Sequence, residues 1–240
     1  MSVITVPTAL PVAASGGFTW GQRRFDLVTS SDATGATQVR PMGPPRWTVS
    51  MNCPAVVTNA QAGEWQSMLL RLRGRVNHLA VFDAARPYPR GTARGTMFLK
   101  VAASAGATTA AITGAGISGT LLKGDKLQIS TGVGTSQLVQ IVSDATSVPS
   151  SQVTVTWTNT AAQTVTWTNS AAQTVTWART GTISITFEPP LRYSFQAGTS
   201  VTWSKPVAYF KATNDSSQWA YWSPDLQQGY SFDGIEDWTP

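Results

Sequence analysis

The sequence predicts a mainly β protein, in which a β-sandwich domain with one α-helix carries an inserted small β-barrel or sandwich. Three observations lead to this fold class. Residues 153–177 repeat a Thr-Val-Thr-Trp unit, seven short strand patterns lie between residues 97 and 203, and one helical pattern lies at residues 59–73. Alternation of polar residues with β-branched and aromatic ones is typical of strands. With 240 residues, the chain is long enough for one large or two medium domains.

Charge is scarce and is segregated along the chain. Charged residues make up 12% of the sequence, about half of the usual ~25%, so we expect a surface rich in Ser, Thr and Asn, or one covered by partners. The net charge is +5. Many of the basic residues are grouped: Arg71, Arg73, Arg75, Arg86, Arg90, Arg94 and Lys100. The C-terminal region is acidic: Asp215, Asp225, Asp233, Glu236 and Asp237.

Strand patterns dominate the first hundred residues. Residues 18–27 and 39–53 predict two strands, the second interrupted by Pro41 and the following prolines. Residues 78–83 predict a buried strand. The proline-rich segment 86–96 predicts an extended connection, because proline restricts the residue before it.

One helix is predicted, over residues 59–73. Thr58 and Gln61 form a capping box, and apolar residues follow at intervals of three and four. The apolar stripe consists of Ala62, Trp65, Leu69, Leu72 and Val76. We expect this stripe to pack on a sheet.

Composition changes abruptly at Met97, where the chain becomes rich in Ala, Gly, Thr and Ser. The strand patterns in this region are residues 97–102, 110–112, 126–129, 138–142, 153–177, 183–187 and 201–203. Seven short strands without a helix predict a small β-barrel or sandwich. Aromatic, alternating segments then resume. We therefore divide the chain into a hub domain, residues 1–96 plus 205–240, and an inserted peripheral domain, residues 97–204.

The repeat in the inserted domain places Trp157, Trp167 and Trp177 ten residues apart. The first two copies differ only in Thr160 against Ser170, which indicates a recent duplication that lengthens a surface hairpin. The alternative is a stacked ladder that recognises a surface. Exposed and coplanar tryptophans would then stack against sugar rings.

Few residues are available for catalysis. One His and one Cys exclude a His/Cys metal cluster and an internal disulfide, and leave His78 as the only imidazole base. His78 and Asp83 are five apart on one predicted strand, hence on opposite faces, which favours a structural histidine. The acids Asp233, Glu236 and Asp237 suit salt bridges or calcium at least as well as a catalytic pair. The glycines of residues 114–119 lack a Gly-Lys-Ser/Thr ending and are interpreted as turns. We predict no enzyme activity, cofactor or metal site.

The arginine cluster has three interpretations. The first is ordinary helix termination, because cations near the C-terminal end of a helix interact favourably with its dipole. Nucleic-acid binding, including a lining for DNA that passes through a channel, would need more aromatic residues than Phe82 and Tyr88. The third interpretation is pairing between subunits, because a chain with a basic and an acidic edge suits head-to-tail contacts that close into a ring. The interface residues would then be Arg86, Arg90, Arg94, Asp233, Glu236 and Asp237.

The sequence predicts neither a secretory signal nor a membrane segment. Pro7 and Pro11 interrupt the apolar residues of the N-terminus, and no basic residue precedes them. No run of about 20 apolar residues occurs.

Several short motifs stand in a fixed order along the chain: Leu-Leu-Arg-Leu-Arg-Gly-Arg (69–75), Asn-His-Leu-Ala-Val-Phe-Asp (77–83), Pro-Arg-Gly-Thr (89–92), Leu-Lys-Gly-Asp (122–125) and Pro-Pro-Leu-Arg (189–192). With a terminal aromatic strand, this succession resembles the distal tail or minor tail proteins of long non-contractile phage tails and of gene transfer agents. The resemblance covers about residues 18–238; the tryptophan repeat departs from the family pattern.

This resemblance implies a structural virion protein. The β-sandwich hub would assemble into a homo-oligomeric ring, expected to be a hexamer, with the inserted domain projecting outward. The implied partners are further copies of the chain, the tail tube protein and tail tip or hub proteins, with DNA at most passing through the lumen. The implied location is the virion tail tip, after assembly in the host cytoplasm. The alternative function is a carbohydrate- or host-surface-binding module that uses the repeat tryptophans.

Overall fold

The computed structural model describes residues 2–7, 10, 17–54, 57–115, 117–132, 134–149, 180–215, 218–223 and 226–237. The repeat, with Trp157, Trp167 and Trp177, lies outside the described residues. The described chain is mainly β and contains one helix, as the sequence predicted.

The elements follow one another along the chain. They are β1 (Val3–Thr5), β2 (Phe18–Ser30), β3 (Thr37–Asn52), β4 (Val57–Thr58), α1 (Asn59–Leu72), β5 (His78–Phe82), β6 (Met97–Leu99), β7 (Thr109–Ala115), β8 (Thr120–Leu121), β9 (Lys126–Ser130), β10 (Ser136–Ile141), β11 (Ala145–Thr146), β12 (Val148–Pro149), β13 (Thr180–Glu188), β14 (Ser200–Thr202), β15 (Val207–Ala212), β16 (Ala220–Ser223), β17 (Leu226–Gln228) and β18 (Ser231–Glu236).

Six strands form a mixed sheet in the order β1-β5-β15-β18-β3-β2. β1 runs parallel to β5, and the other neighbours are antiparallel. Helix α1 packs against this sheet. Its Trp65 is fully buried in the same hydrophobic core as Met51, Leu79 and Phe210 of the sheet. The prediction of a helix packed on a sheet is confirmed.

The ends of α1 explain where its apolar stripe stops. At its start, Gln61 Oε1 accepts the backbone N–H of Thr58 at 3.2 Å. At its end, Arg73 adopts a left-handed φ of 50°, so the helical period does not continue to Val76. Val76 is 53% exposed, and its predicted place in the buried stripe is wrong. The other four predicted residues are buried, together with Met68.

A second group of strands closes into a six-stranded barrel in the order β10-β9-β14-β6-β7-β13. Closure occurs where β13 pairs back onto β10, with Ile141 opposite Phe187. Inward-facing residues such as Leu127, Ile129 and Ile183 fill the interior, as expected for a small barrel. All six barrel strands lie between residues 97 and 202, and all strands of the six-stranded sheet lie outside that range.

The glycines at residues 114–119 were interpreted as turns, and this is wrong for Gly114. Gly114 lies within β7, directly opposite Gly181 of β13. Gly119 has a φ of 104°, which fits a turn. Gly114 is needed for a different reason, the close approach of another chain segment.

The hairpin of β2 and β3 is longer than the sequence predicted. β3 continues through Pro41 and the prolines that follow, where an interruption was expected. The reason is that β18 pairs with β3 only from Thr48 to Asn52, so the proline-containing part of β3 has a single neighbour, β2. We call residues 24–44, the distal part of this hairpin, the arm. Apart from half-buried Phe25 and Gly43, all its residues are exposed.

Replacing Gly63 with alanine should stabilise the protein. Gly63 is an exposed residue within α1, and a Cβ at this position would have no neighbour within 4 Å. Since alanine loses less backbone entropy than glycine in a helix, we expect Gly63→Ala to raise the free energy of unfolding by about 1 kcal/mol. Thermal unfolding followed by circular dichroism should show a Tm increase of about 2–4 °C. A decrease in Tm would show that a Cβ at this position meets other atoms, and would contradict the exposure of this helix face.

Candidate interaction surfaces

Two buried ion pairs join the barrel to the six-stranded sheet. Lys126 Nζ lies 2.5 Å from Asp83 Oδ2, and the side chains are 5% and 10% exposed. Arg192 Nη2 lies 2.5 Å from Glu236 Oε1, and the side chains are 6% and 3% exposed. Burial lowers the pKa of Lys126 and of Arg192, and the paired carboxylates oppose this effect. In each pair the barrel side supplies the cation and the sheet side supplies the anion.

Aromatic residues complete this junction. The Lys126 ammonium lies 4.5 Å from the ring centre of Trp20 and 5.5 Å from that of Trp47. Trp47 Nε1 donates to the carbonyl of Leu138 at 3.0 Å, and Trp47 N–H donates to Glu236 Oε2 at 3.1 Å. The charges of the junction therefore have partners within the chain, and these contacts hold the barrel against the sheet.

The C-terminal acids are placed differently from the expectation for a subunit interface. Glu236 is buried and paired with Arg192 of the same chain. Asp237 Oδ2 lies 2.8 Å from His78 Nε2 and 2.5 Å from Lys211 Nζ. Asp233 is exposed. Glu236 is thus not placed to contact a second subunit, and the predicted acidic side is reduced mainly to Asp233.

The alternation of β18 contains a signal that the sequence analysis missed. Residues two apart on a strand share a face, so Glu236 lies on the same face as Phe232, which is buried. Asp233 lies on the opposite face. Strand position alone would have distinguished the buried acid from the exposed one.

His78 is buried and makes its contacts within the chain. It is 5% exposed, its ring binds Asp237, and its backbone N–H donates to the carbonyl of Ser2 at 3.1 Å. Asp83 binds Lys126 instead, so His78 and Asp83 have separate partners. Among the described residues, no group of three or more His, Cys, Asp or Glu side chains is arranged to hold a metal ion.

Arg94 holds a loop together. Its Nη1 donates to the carbonyls of Gly91 at 2.8 Å and Ala93 at 2.7 Å, and its Nη2 donates to that of Pro89 at 3.2 Å. Its guanidinium group lies 5.0 Å from the ring centre of Trp203. Sequence analysis did not connect Trp203 with this cluster, because the contact brings together residues that are far apart along the chain.

Arg86 and Arg90 are exposed and make fewer contacts. Arg86 Nη1 donates to the carbonyl of Gly124 at 3.2 Å, and Arg90 Nη2 donates to that of Lys123 at 2.9 Å. A guanidinium group has five N–H donors, so each of these arginines keeps most of its donors for a further partner. Arg94 is also exposed, but it makes three hydrogen bonds, so Arg86 and Arg90 keep more free donors than Arg94 does.

The arm forms a second exposed surface. Its large apolar residues are 50–64% exposed: Leu27, Val28, Val39 and Met42. Val28 and Val39 are directly opposite in register and form an apolar pair on one face. At the base of the arm, the guanidinium groups of Arg23 and Arg46 lie 5.3 and 5.6 Å from the ring centre of Phe25.

In the part of the chain that the structure describes, no helix has both the length and the apolar character needed to cross a membrane. Comparison with known proteins finds no matching family model and no matching curated protein.

Proposed function

We propose that the protein is a structural virion protein that forms a homo-oligomeric ring at the distal end of a phage-like tail, between tail tube and tip. Residues 1–96 and 205–240 would form the ring-building hub, and residues 97–204 would project from it. The motif order along the sequence supports the tail assignment. The exposed arm is the observation that most directly supports ring formation.

The arm has the properties of a segment that is covered in an assembly. A two-stranded hairpin is marginally stable by itself in water. This arm extends about 20 Å beyond its base, since each strand contributes about 3.3 Å per residue. It exposes Val28 and Val39 on one face and Leu27 on the other, and exposed apolar strands are templates for pairing with another chain.

The topology of the sheet favours further copies of the chain as that partner. β2 and β1 form the two opposite edges of the sheet. An arm that docks at the far edge of a neighbouring sheet makes a heterologous contact, which can be repeated from subunit to subunit. Such head-to-tail contacts close into a ring when the rotation between subunits permits.

The buried junction suits a repeating assembly. Each barrel is fixed to its sheet by two ion pairs and by the hydrogen bond from Trp47 to Leu138. A ring of hubs would therefore present every barrel in the same orientation. This geometry fits a peripheral domain displayed around a tail tip.

Shortening the arm should abolish ring formation without unfolding the subunit. Leu27 and Arg40 are opposite in register, so replacing residues 28–39 with Asn-Gly closes the hairpin with a favoured two-residue turn. We expect the full chain to form one closed oligomer by mass photometry and the shortened chain to be monomeric. Its Tm should change by only a few degrees, because the removed residues are exposed.

Matched valine variants test whether the apolar surface of the arm is the cause. Val28→Thr/Val39→Thr should weaken the oligomer, whereas Val142→Thr/Val148→Thr should leave it intact, although these valines are also 46% and 69% exposed. A shortened chain that still forms the oligomer would overturn the role of the arm. Immunogold labelling of particles that carry the chain should mark the tail end farthest from the capsid; label elsewhere would overturn the tail assignment.

A further inference from the structure

The segment Arg86-Pro87-Tyr88-Pro89-Arg90 presents three side chains to solvent in a row. Arg86, Tyr88 and Arg90 are exposed, whereas Pro87 is half-buried and Pro89 is buried. Each proline fixes its own φ and favours an extended conformation for the residue before it. The chain bends at Pro87, Tyr88 and Arg90. Its exposed side chains follow one another in sequence as cation, aromatic ring and cation, and we call them the Arg-Tyr-Arg row.

The backbone of this row is held rigidly. Asp125, which is buried, accepts the N–H of Arg90 at 2.8 Å through Oδ1 and that of Gly91 at 3.2 Å through Oδ2. The carbonyl of Pro87 accepts the N–H of Lys205 at 2.7 Å. A surface that is already ordered loses little conformational entropy when it binds a ligand.

The surroundings of the row are cationic. The nearby acids are engaged: Asp83 pairs with Lys126, and Asp125 binds backbone N–H groups. In the adjacent turn, exposed Asp144 accepts the N–H of Lys123 at 2.7 Å. Arg86 and Arg90 retain free donors, which suit carboxylate or sulfate groups because a guanidinium binds such anions with two parallel hydrogen bonds.

The aromatic side of the row is the exposed ring of Tyr88. Tyr88 is 51% exposed, and its ring centre lies 6.5 Å from that of Trp203 at an angle of 52°. Arg94 covers Trp203, so Tyr88 offers the accessible ring. An aromatic face packs well against the apolar face of a sugar ring, while the phenolic hydroxyl can bind a sugar hydroxyl.

We propose that the Arg-Tyr-Arg row binds an acidic glycan, with a sugar ring on Tyr88 and its carboxylate or sulfate groups on Arg86 and Arg90. Double-stranded nucleic acid would leave Tyr88 without a stacking partner, because its bases are already stacked. Binding of a single strand typically uses aromatic residues for successive bases, whereas this row has one exposed ring between two cations. The proposal does not depend on ring formation, and it uses residues other than the repeat tryptophans.

Titration calorimetry with three glycans tests the proposal on the full chain. The probes are hyaluronan oligosaccharides, which carry only carboxylates, heparin oligosaccharides, which also carry sulfates, and neutral dextran. We expect binding of at least one acidic glycan and none of dextran. Tyr88→Ala, which leaves the charge unchanged, should weaken binding about tenfold, because it removes the stacking face. Arg86→Gln/Arg90→Gln should weaken it further and reduce its salt dependence.

The matched control is Arg71→Gln/Arg73→Gln, which removes the same charge from exposed positions at the end of α1. It should bind the acidic glycan as the original chain does. Equal loss in both double variants, or an unchanged affinity of Tyr88→Ala, would overturn the site in favour of general attraction by positive charge. Tighter binding of single-stranded DNA than of either acidic glycan would overturn the ligand class. No binding of either acidic glycan by the folded original chain would overturn the proposal itself.

Discussion

Replacing Lys126 with methionine should lower the free energy of unfolding by about 3–5 kcal/mol, because it leaves the buried carboxylate of Asp83 without its cation. The two side chains are 5% and 10% exposed, and they lie at the contact of the barrel with the sheet. Asp83→Asn should lower the free energy of unfolding by a similar amount, since it leaves the ammonium of Lys126 facing a neutral amide. Urea unfolding, followed by tryptophan fluorescence, measures both losses.

The double variant distinguishes a coupled pair from two independent residues. Lys126→Met/Asp83→Asn should cost less than either single substitution, because neither charge is then left alone in the interior. The asparagine can still accept the N–H of Ala85, which Asp83 Oδ1 accepts at 3.0 Å. Costs that simply add in the double variant would contradict a coupled ion pair.

An exposed ion pair of the same chain is the control. Arg75 Nε lies 2.9 Å from Asp215 Oδ1, but the side chains are 55% and 76% exposed. Arg75→Gln should therefore cost less than about 1 kcal/mol, since water screens the interaction.

The pH dependence gives a second readout. Burial lowers the pKa of Lys126 from its ordinary 10.5, so near this pH the unfolded chain binds more protons at Lys126 than the folded chain. The contribution of Lys126 to stability consequently rises as the pH increases toward 10.5. The loss caused by Lys126→Met should be larger at about pH 10 than at about pH 8.

Local features of the fold could be predicted from the sequence. α1 follows from its capping box and its apolar spacing, and both depend on residues within one or two turns. The barrel strands follow from alternation: in β9, Leu127 and Ile129 face inward while Lys126 and Gln128 face outward. Recognising such patterns requires only the spacing of apolar residues that is typical of a helix or a strand.

Features that depend on distant contacts could not be predicted. Barrel closure joins Ile141 to Phe187 across the segment that contains the repeat. The Lys126–Asp83 pair joins two residues that are 43 positions apart. Charged residues are rarely buried without a partner, and nothing local to either residue identifies the other as its partner. For the same reason, the sequence analysis placed Glu236 at a subunit interface, whereas Arg192 pairs with it in the interior.

For the candidate surfaces as well, features set by neighbouring residues could be predicted, whereas features set by distant contacts could not. The exposure of Arg86 and Arg90 follows from a proline-rich segment that the sequence identifies. The role of Arg94 does not, because it depends on Trp203, which follows the last barrel strand more than 100 residues later in the sequence. The arm was missed because proline usually ends a central strand, and sequence alone did not show that β18 pairs with β3 only from Thr48 to Asn52, beyond the prolines of β3.

Gly114→Ala should destabilise the protein by about 3 kcal/mol or more, which is the upper range for overpacking in a closely packed interior. A Cβ at Gly114 would lie 1.7 Å from the carbonyl oxygen of Thr96, and a Cβ at the opposing Gly181 would lie 2.2 Å from the carbonyl oxygen of Ile117. Both obstacles are backbone atoms, so a side-chain rotation cannot relieve the overlap. Either the segment that enters the barrel before β6 or the pairing of β7 with β13 must move.

Gly43→Ala is the matched control, because Gly43 also lies in a strand but has no atom within 4 Å of a Cβ placed there. We expect it to change the free energy of unfolding by less than about 0.5 kcal/mol. Urea unfolding of the two variants under identical conditions provides the comparison. If Gly114→Ala were as mild as Gly43→Ala, the backbone of Thr96 would not approach β7 as closely as described. A large loss confined to Gly114→Ala would instead show that β7 requires glycine at this position because the carbonyl of Thr96 lies against it.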